Sequence, residues 1–425
     1  MYRRSLKTHK TFSSRTEKTV IIGGETDYCA ERYAYKREIN GITPLPYFKR
    51  FIPLVNCNNV TSTMYAPVCG RVFFSTSAGN LYGWNTVTKG APITMGILTA
   101  EILPHIHYCV EETDNIYVAI AGNKISRIFP NSRIKMLTMG QYLKDTAIHC
   151  GRIFGIDSTN AYMLRWSGYA YDDWVQGVDG AGYVVLDSAL GVLLNLFVFG
   201  DKIIVVREYG ITVLTTLGDS RHSRIDICDR FSLPRVYPDS SAICGGQLWI
   251  YTRDGMYAFD GSSVTKKPFD EIMRDYYIDR PTVIEDTYIY YTATKDGVNY
   301  LFVYDTRTGA CSPYAKTCFC PFFIEDEPYC FNGTYVQSLL YSLDDPDRKW
   351  VSKPFTFPDG KPRTLKSLRL NCSGHITVEV DCDGRKLYLY APGEYVYAES
   401  GQSFTFKVTG NGSVTGLTAE WEVRG

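Results

Sequence analysis

Short apolar runs recur along the middle of the chain, each pair separated by a Gly, Asn or Asp turn. Gly70 leads RVFFST, a turn at 78–80 and LYGW; Asp114 leads NIYVAI, a turn at 121–123 and KISRIF. Gly151 leads RIFGI, a turn at 158–160 and AYMLRW, and Asp201 leads KIIVV, a turn at Tyr209-Gly210 and ITVLTT. Gly246 leads QLWIYT and MYAFD around 253–255, and Asp286 leads TYIYYT and NYLFVYD around 295–297. Asp326 leads EPYCF and YVQSLLY around Asn332-Gly333. Such turns tolerate positive φ and close two-stranded hairpins.

The seven leading residues are spaced by 44, 37, 50, 45, 40 and 40 positions. A period of roughly 40–45 residues with paired central strands is the blade period of a β-propeller. A further apolar segment precedes most units, as in AIHC (147–150), LLNLFVF (193–199) and AIC (242–244), and supplies another strand per repeat. The pattern predicts an all-β chain, a propeller of about seven blades over 61–350, with six to eight open. A generic sandwich of evenly spaced hairpins is the alternative. The expected blade core is Phe73, Tyr117, Phe154, Ile204, Trp249, Tyr290 and Tyr329, or close strand neighbours. Helix is nearly absent, the clearest stretch being DEIMRDYY from Asp270 to Tyr277.

Two flanks leave the repeat. Residues 1–60 begin with Arg3, Arg4, Lys7, Lys10, Arg15 and Lys18 against Glu17, and read as an arm that can also carry a ring-closing strand. Residues 352–425 alternate in period two through LKSLRL, HITVEVD, RKLYLYA, SFTFKVTG and LTAEWEVRG, which predicts a small β-sandwich of five to seven strands. Pro354 and Pro358 in PFTFPDGKP mark a linker before it. A module of roughly 70 residues is near the lower limit for a self-sufficient core, so it should lean on the propeller or on a neighbouring subunit.

Composition narrows the class. The 45 Lys+Arg balance 45 Asp+Glu, which argues against a chain-wide basic footprint for nucleic acid. The best apolar run, Ala189 to Phe199, is only strand-length and contains Asn195, so no membrane span is expected. The start MYRRSLKTHK has charge without an apolar stretch behind it, and the 13 cysteines are odd in number and scattered. They read as reduced thiols of a protein made in the cytoplasm, many buried as small hydrophobes, with disulfides as the alternative.

Chemistry is sparse. His105 and His107 share one face of a strand, as a metal would want, but no third ligand has a suggestive spacing. Cys318 and Cys320 are one residue too close for a zinc knuckle and read as two same-face strand thiols. Asp172-Asp173, Asp344-Asp345 and Asp381/Asp383 fit turn geometry better than a pair of opposed catalytic carboxyls. Phosphate-binding Gly loops, the nucleophile elbow, the sialidase Asp-box and the Trp-Asp pairs of WD repeats are missing. The reading is a non-enzyme with no catalytic, cofactor-binding or metal site residues and no cofactor.

Three segments carry a resemblance: GYVVLDSALGVLLNLFVFGDKIIVVREYGITVLTT (182–216), FSLPRVYPDSSAICGGQLWIYTRDGMYAFDGSSV (231–264) and WVSKPFTFPDGKPRTLKSLRLNCSGHITVEVDCD (350–383). Together they resemble the propeller-bearing tail hub or nozzle proteins of short-tailed bacteriophages and related prophage proteins, over about 200 residues. The resemblance implies a virion structural protein, made in the bacterial cytoplasm, of a phage tail or head–tail assembly. Such proteins form rings, often hexameric, around the DNA channel and contact other tail, portal or adaptor proteins. DNA would pass without specific binding, which suits a neutral chain. The alternatives are a monomeric propeller that binds a peptide or glycan on its axial face and, further off, a propeller glycosidase or lyase.

Overall fold

The computed structural model describes residues 15–24, 28–38, 40–45, 47–53, 60–66, 70–76, 78, 80–88, 92–97, 106–110, 115–121, 124–128, 134–138, 142–169, 173–218, 223–284, 286–316, 318–324, 327–332, 335–340, 347–357 and 359–423. The chain forms two compact units, one of residues 48–340 and one built from residues 1–47 together with 341–425.

The first unit is a propeller of seven four-stranded antiparallel sheets. Blade 1 holds Val60–Ala66, Arg71–Thr76, Asn80–Asn85 and Ile93–Ile97; blade 2 holds Ile106–Val110, Asn115–Ala121, Lys124–Ile128 and Ile134–Thr138. Blade 3 holds Leu143–His149, Arg152–Asp157, Met163–Trp166 and Gly182–Val185; blade 4 holds Leu193–Phe199, Lys202–Arg207, Gly210–Gly218 and Ser223–Ser232. Blade 5 holds Ala242–Cys244, Gln247–Thr252, Gly255–Phe259 and Val264–Lys266; blade 6 holds Tyr277–Ile284, Tyr288–Lys295, Val298–Asp305 and Cys311–Lys316. Blade 7 takes Phe319–Ile324, Glu327–Asn332 and Tyr335–Leu340 from one end of the unit and Tyr47–Pro53 from the other. The ring is therefore closed non-covalently inside one sheet.

The first strands of blades 1 and 2, 2 and 3, 3 and 4, 5 and 6, 6 and 7, and 7 and 1 pack against one another and form the inner ring. In blades 1, 3, 4, 6 and 7 this strand carries a register shift against the second strand, at Val60/Ser62, Leu143/Thr146, Leu193/Asn195, Asp279/Thr282 and Phe319/Phe322. A bulge re-aims side chains and leaves backbone groups unpaired. Here side chains of adjacent blades take those groups up. Asp145 Oδ2 accepts from the Leu196 N–H at 2.8 Å and from Asn195 Nδ2 at 3.3 Å, joining blades 3 and 4. Asn195 in turn exchanges two bonds with Asp239 at the entry to blade 5. Between blades 6 and 7, Thr292 Oγ1 accepts from the Cys320 N–H and Thr282 Oγ1 donates to the Pro321 carbonyl.

Blade-on-blade packing is apolar. Phe73, Phe154 and Ile204 are fully buried and Trp249 and Tyr329 nearly so. Tyr290 is half-buried, because its ring turns toward Phe323 while its strand neighbours Ile289 and Tyr291 fill the core between blades 5 and 6. The side chain of Tyr117 lies outside the described side chains. The stretch expected to be helical is a short 3-10 turn, Glu271–Asp275, whose first turn is capped by Asp270 accepting from the Ile272 N–H.

The third-to-fourth strand turns repeat one device. Asn85 Oδ1 accepts from the N–H groups of Val87 and Thr88, Asp260 Oδ1 from those of Ser262 and Ser263, and Asp305 Oδ1 from that of Arg307. The following threonine, Thr86 or Thr306, donates back to the carbonyl of Gly70 or Thr287 in the first hairpin of the same blade. These Asx turns fix the hairpin geometry.

The second unit is a sandwich of two six-stranded sheets, larger than the module expected from 352–425. One sheet runs Tyr35–Glu38, Gly41–Pro44, Ser413–Val423, Arg363–Ser373 and Gly393–Gly401, with Arg15–Ile22 also paired to Ser413–Val423. The other runs Cys29–Tyr33, Lys349–Ser352, Ser403–Gly410, Ile376–Cys382 and Arg385–Leu389, with Phe355–Thr356 on Ser403–Gly410. Arg15–Ile22, Cys29–Tyr33, Tyr35–Glu38 and Gly41–Pro44 are thus strands of the sandwich where the sequence reading places an arm. Ile21, Ile22, Tyr35 and Ile42 supply core beside Leu368, Val378, Phe404, Phe406 and Trp421. The missing burial comes from the chain's own other end. The expected linker is also part of this unit: Phe355 and Phe357 pack on the same core. Arg348, 1% exposed, ties the two ends together. It donates to the carbonyls of Leu45 (2.7 Å), Ala34 (3.1 Å) and Gly410 (3.4 Å), with its guanidinium over the Tyr35 ring.

Candidate functional site

Each blade runs antiparallel in chain order from the inner strand outward. The loops that enter a blade and its second-to-third strand hairpins therefore share one axial face, and the other two turns share the opposite face. On the first of these faces four tyrosines of consecutive blades stand in solvent. Tyr142 enters blade 3 and is 48% exposed, Tyr209 lies in the blade 4 hairpin at 43%, Tyr237 enters blade 5 at 38%, and Tyr277 opens blade 6 at 56%. Singly exposed aromatics are ordinary; four on one axial face of consecutive blades make that face a candidate contact surface.

Local structure holds them there. The segment entering blade 5 runs against the blade 4 hairpin, with Leu233 N–H donating to the Tyr209 carbonyl and Val236 N–H to that of Glu208. Tyr237 N–H and Arg253 N–H then bond across to the blade 5 hairpin segment through Tyr251 O and Arg235 O. The Tyr237 ring stacks on Tyr251 at 4.8 Å, Tyr251 stacks on Phe269 at 5.8 Å, and the Arg274 guanidinium covers Phe269 at 5.5 Å. Only the outermost ring of this column is exposed. Tyr251 is buried, and burial pushes its phenol well above the usual range, so it remains neutral.

Four ion pairs lie among these rings in the described residues. Arg235 meets Glu208 at 3.5 Å, Arg230 meets Asp187 at 2.9 Å, Arg274 meets Glu271 at 2.6 Å and Lys295 meets Asp275 at 3.1 Å. The Ala189 N–H, with Arg230 and Arg207 beside it, holds the Asp187 carboxyl below the ordinary carboxylate range. In its described residues the face thus sets exposed tyrosines beside paired charges. That chemistry resembles a protein-binding surface, where Tyr supplies large rigid contact area at low entropic cost.

The carboxylates weighed from sequence go to structural work where they are described. Asp381 accepts from the Gly384 N–H, and Asp383 accepts from the N–H groups of Gln402 and Ser403. Asp173 caps Val175 N–H. Asp172, Asp344, Asp345 and His105 lie outside the described residues, as does the side chain of His107. Burial pushes Asp157 up, but bonds from Thr159, Arg165 and Asn160 outweigh it and leave the carboxyl lowered. Asp260 is held low by the N–H groups of Ser262 and Ser263. Cys318 and Cys320 do not act together: Cys318 Sγ donates to Gln337 Oε1 at 3.3 Å and Cys320 Sγ to the Val60 carbonyl at 3.4 Å. The bulge at Phe319/Phe322 breaks the alternation on which a shared face depends.

Sequence reasoning missed both the tyrosine face and the Asp145–Asn195–Asp239 chain. The tyrosines do carry a signal, since each sits in a loop or at the end of a strand (QYL, EYG, VYPD, DYYI). Asn195 is signalled by being the one polar residue of LLNLFVF.

Neither a protein-family model nor a curated protein matches the chain. Among solved structures it is similar to the β-propeller domain of Cps50 (Swd1) from Myceliophteria thermophila. The identity is 9%, with 69% of this chain and 100% of that one covered and a TM-score of 0.50. The fold is a β-propeller. The WD40 propeller domain of Doa1 (8% identity, 70% and 98% coverage, TM-score 0.46) and BamB from Moraxella catarrhalis (10%, 69% and 97%, 0.43) are also found. At such identities the likeness concerns the fold alone.

Proposed function

We propose that this chain is a non-enzymatic docking protein that holds another protein against the axial face bearing Tyr142, Tyr209, Tyr237 and Tyr277. The exposure of these four tyrosines on one face carries the reading. The ring column behind Tyr237 supports it, because a pre-ordered aromatic loses little freedom on binding. The sequence resemblance gives the finer proposal. The chain is a structural part of a short-tailed phage tail or head–tail assembly, made in the bacterial cytoplasm and carried in the virion. It forms a ring around the DNA channel with tail, portal or adaptor proteins as neighbours.

The test has two arms. Light scattering on the purified chain should show a ring of several copies, or a monomer that assembles only when mixed with portal and adaptor proteins of a short-tailed phage. Tyr209→Ala with Tyr237→Ala should weaken that association at least tenfold while leaving the melting temperature nearly unchanged, since both side chains are exposed. A protein that stays monomeric with those partners overturns the phage reading. Unchanged association by the double variant overturns the role of the face. A monomer whose tyrosine face captures a peptide or glycan points to the alternative binding module.

A further inference from the structure

One sheet of the sandwich ends in two open edges of unlike charge. Among the described strands, Gly393–Gly401 pairs only with Arg363–Ser373, and Arg15–Ile22 only with Ser413–Val423. The first edge, GEYVYAESG, carries Glu394 and Glu399 and no basic residue; the second, RTEKTVII, carries Arg15 and Lys18 against Glu17. Val396 in the middle of the first edge is 82% exposed and Val20 of the second 43%. Arg15, Lys18 and Glu394 are exposed as well. An open strand edge is a template for another chain, and proteins commonly guard it with Lys, Pro or a cover. Gly393–Gly401 contains neither Lys nor Pro.

We infer that Gly393–Gly401 of one copy pairs with Arg15–Ile22 of the next, so that the sheet continues from copy to copy. This contact deepens the ring reading and rests on it. The four strands from one edge to the other alternate in direction. The two edges therefore run antiparallel, and a second copy laid alongside in the same orientation offers the right partner without being turned over. Side-chain faces set the register. Tyr395 and Tyr397 pack on the sandwich core, and Thr19, whose Oγ1 accepts from Trp421 Nε1 at 3.1 Å, lies on that same side. With core sides together and the strands overlapped, Glu399 stands opposite Arg15 of the next copy, Val396 opposite its Lys18 and Glu394 opposite its Val20. Glu394 is then the diagonal neighbour of Lys18. Glu399 gives Oε2 to Arg385 at 3.0 Å and has Oε1 left for a second cation. A slip of two residues one way sets Glu399 against Glu17, and a slip the other way takes Arg15 off Glu399.

Two different edges make the contact heterologous. Such a contact repeats head to tail and closes into a ring when the rotation per copy divides a full turn. Unlike charges favour it over two Gly393–Gly401 edges meeting each other, which would gather the Glu394 and Glu399 carboxylates of both copies. In a closed ring both edges of every copy are covered, which removes the aggregation hazard of an open one.

The experiment follows self-association of the full chain by light scattering and sedimentation, with two double variants. One is Arg15→Glu with Lys18→Glu, the other Glu394→Lys with Glu399→Lys. The unmutated chain should form closed oligomers, less so at high salt. Each variant alone should associate about tenfold or more weakly, since like charges then face each other across its contact. Mixing the two variants, or combining all four substitutions in one chain, should restore assembly. The Arg15→Glu, Lys18→Glu variant mixed with the unmutated chain should join it through its intact Gly393–Gly401 edge and stop growth there. That arm uses exposed positions only and decides the matter even where Glu399→Lys disturbs the pair with Arg385. A ring that forms as well with the Arg15→Glu, Lys18→Glu variant, or a failure of that variant to join the unmutated chain, overturns the inference and leaves the ring reading standing. An unmutated chain that is monomeric alone also overturns it, and mixing with portal and adaptor proteins then decides the ring reading separately.

Discussion

Asn195→Asp tests whether the inner ring is held by the Asp145–Asn195–Asp239 chain. Asn195 is 1% exposed and donates from Nδ2 to Asp145 Oδ2 at 3.3 Å and to Asp239 Oδ1 at 2.8 Å. Aspartate keeps the shape and turns both donations into oxygen–oxygen contacts. Were all three carboxyls charged, each new contact at about 3 Å would cost about 5 kcal/mol at an effective dielectric of about 20. Protonating one carboxyl is cheaper: from a reference pKa of about 3.9 it costs about 4 kcal/mol at pH 7. The protonated group offers one O–H where the amide offered two N–H bonds, which adds about 1 kcal/mol. The added group binds its proton more tightly folded than unfolded. Its penalty therefore grows as pH rises above about 4 and levels off only above the raised folded pKa. The variant should lose about 5 kcal/mol at pH 7 and about 1 kcal/mol near pH 4, a slope of about 1.4 kcal/mol per pH unit. Water reaching the half-buried Asp239 makes these upper figures. Urea unfolding of both proteins at several pH values gives the difference directly. Asn195→Leu should show a cost that does not change with pH. A pH-independent penalty in Asn195→Asp, or one below about 1 kcal/mol at pH 7, would refute the reasoning.

Other consequences are quickly checked. Gly309 has φ +71 and an added Cβ would lie 2.4 Å from the Pro268 carbonyl, so Gly309→Ala should cost about 1–3 kcal/mol and lower the melting temperature. Phe331→Ala empties the contact with Phe74 (5.1 Å) and Phe322 (5.3 Å) and should cost about 3–5 kcal/mol by urea titration. Truncation after Ser352 should give an aggregating protein, because Ile21, Ile22, Tyr35, Ile42 and Trp350 lose their sandwich core, whereas a 47–340 fragment should melt cooperatively.

The repeat was legible because a strand hairpin is a local object. RDG, KDG and the anchors Gly151, Gly246 and Asp286 mark turns whose positive φ is set by neighbouring residues, and alternation within each strand follows from a two-residue period. The blade count and most of the expected core residues could be read from that alone. Pairing between distant segments could not. Nothing in RTEKTVII announces that it lies against Ser413–Val423, and a ring-closing strand could be expected within residues 1–60 without YFKRFIP being singled out, because a strand's partner is fixed by which edge remains unpaired after everything else has folded. The same holds for chemistry: Asp145 meets Asn195 and the Leu196 N–H only because the two bulged inner strands lie side by side. Sequence determined the strands and turns of this protein through short-range sterics; only the closed tertiary arrangement decided which side chains meet, because that depends on long-range strand order.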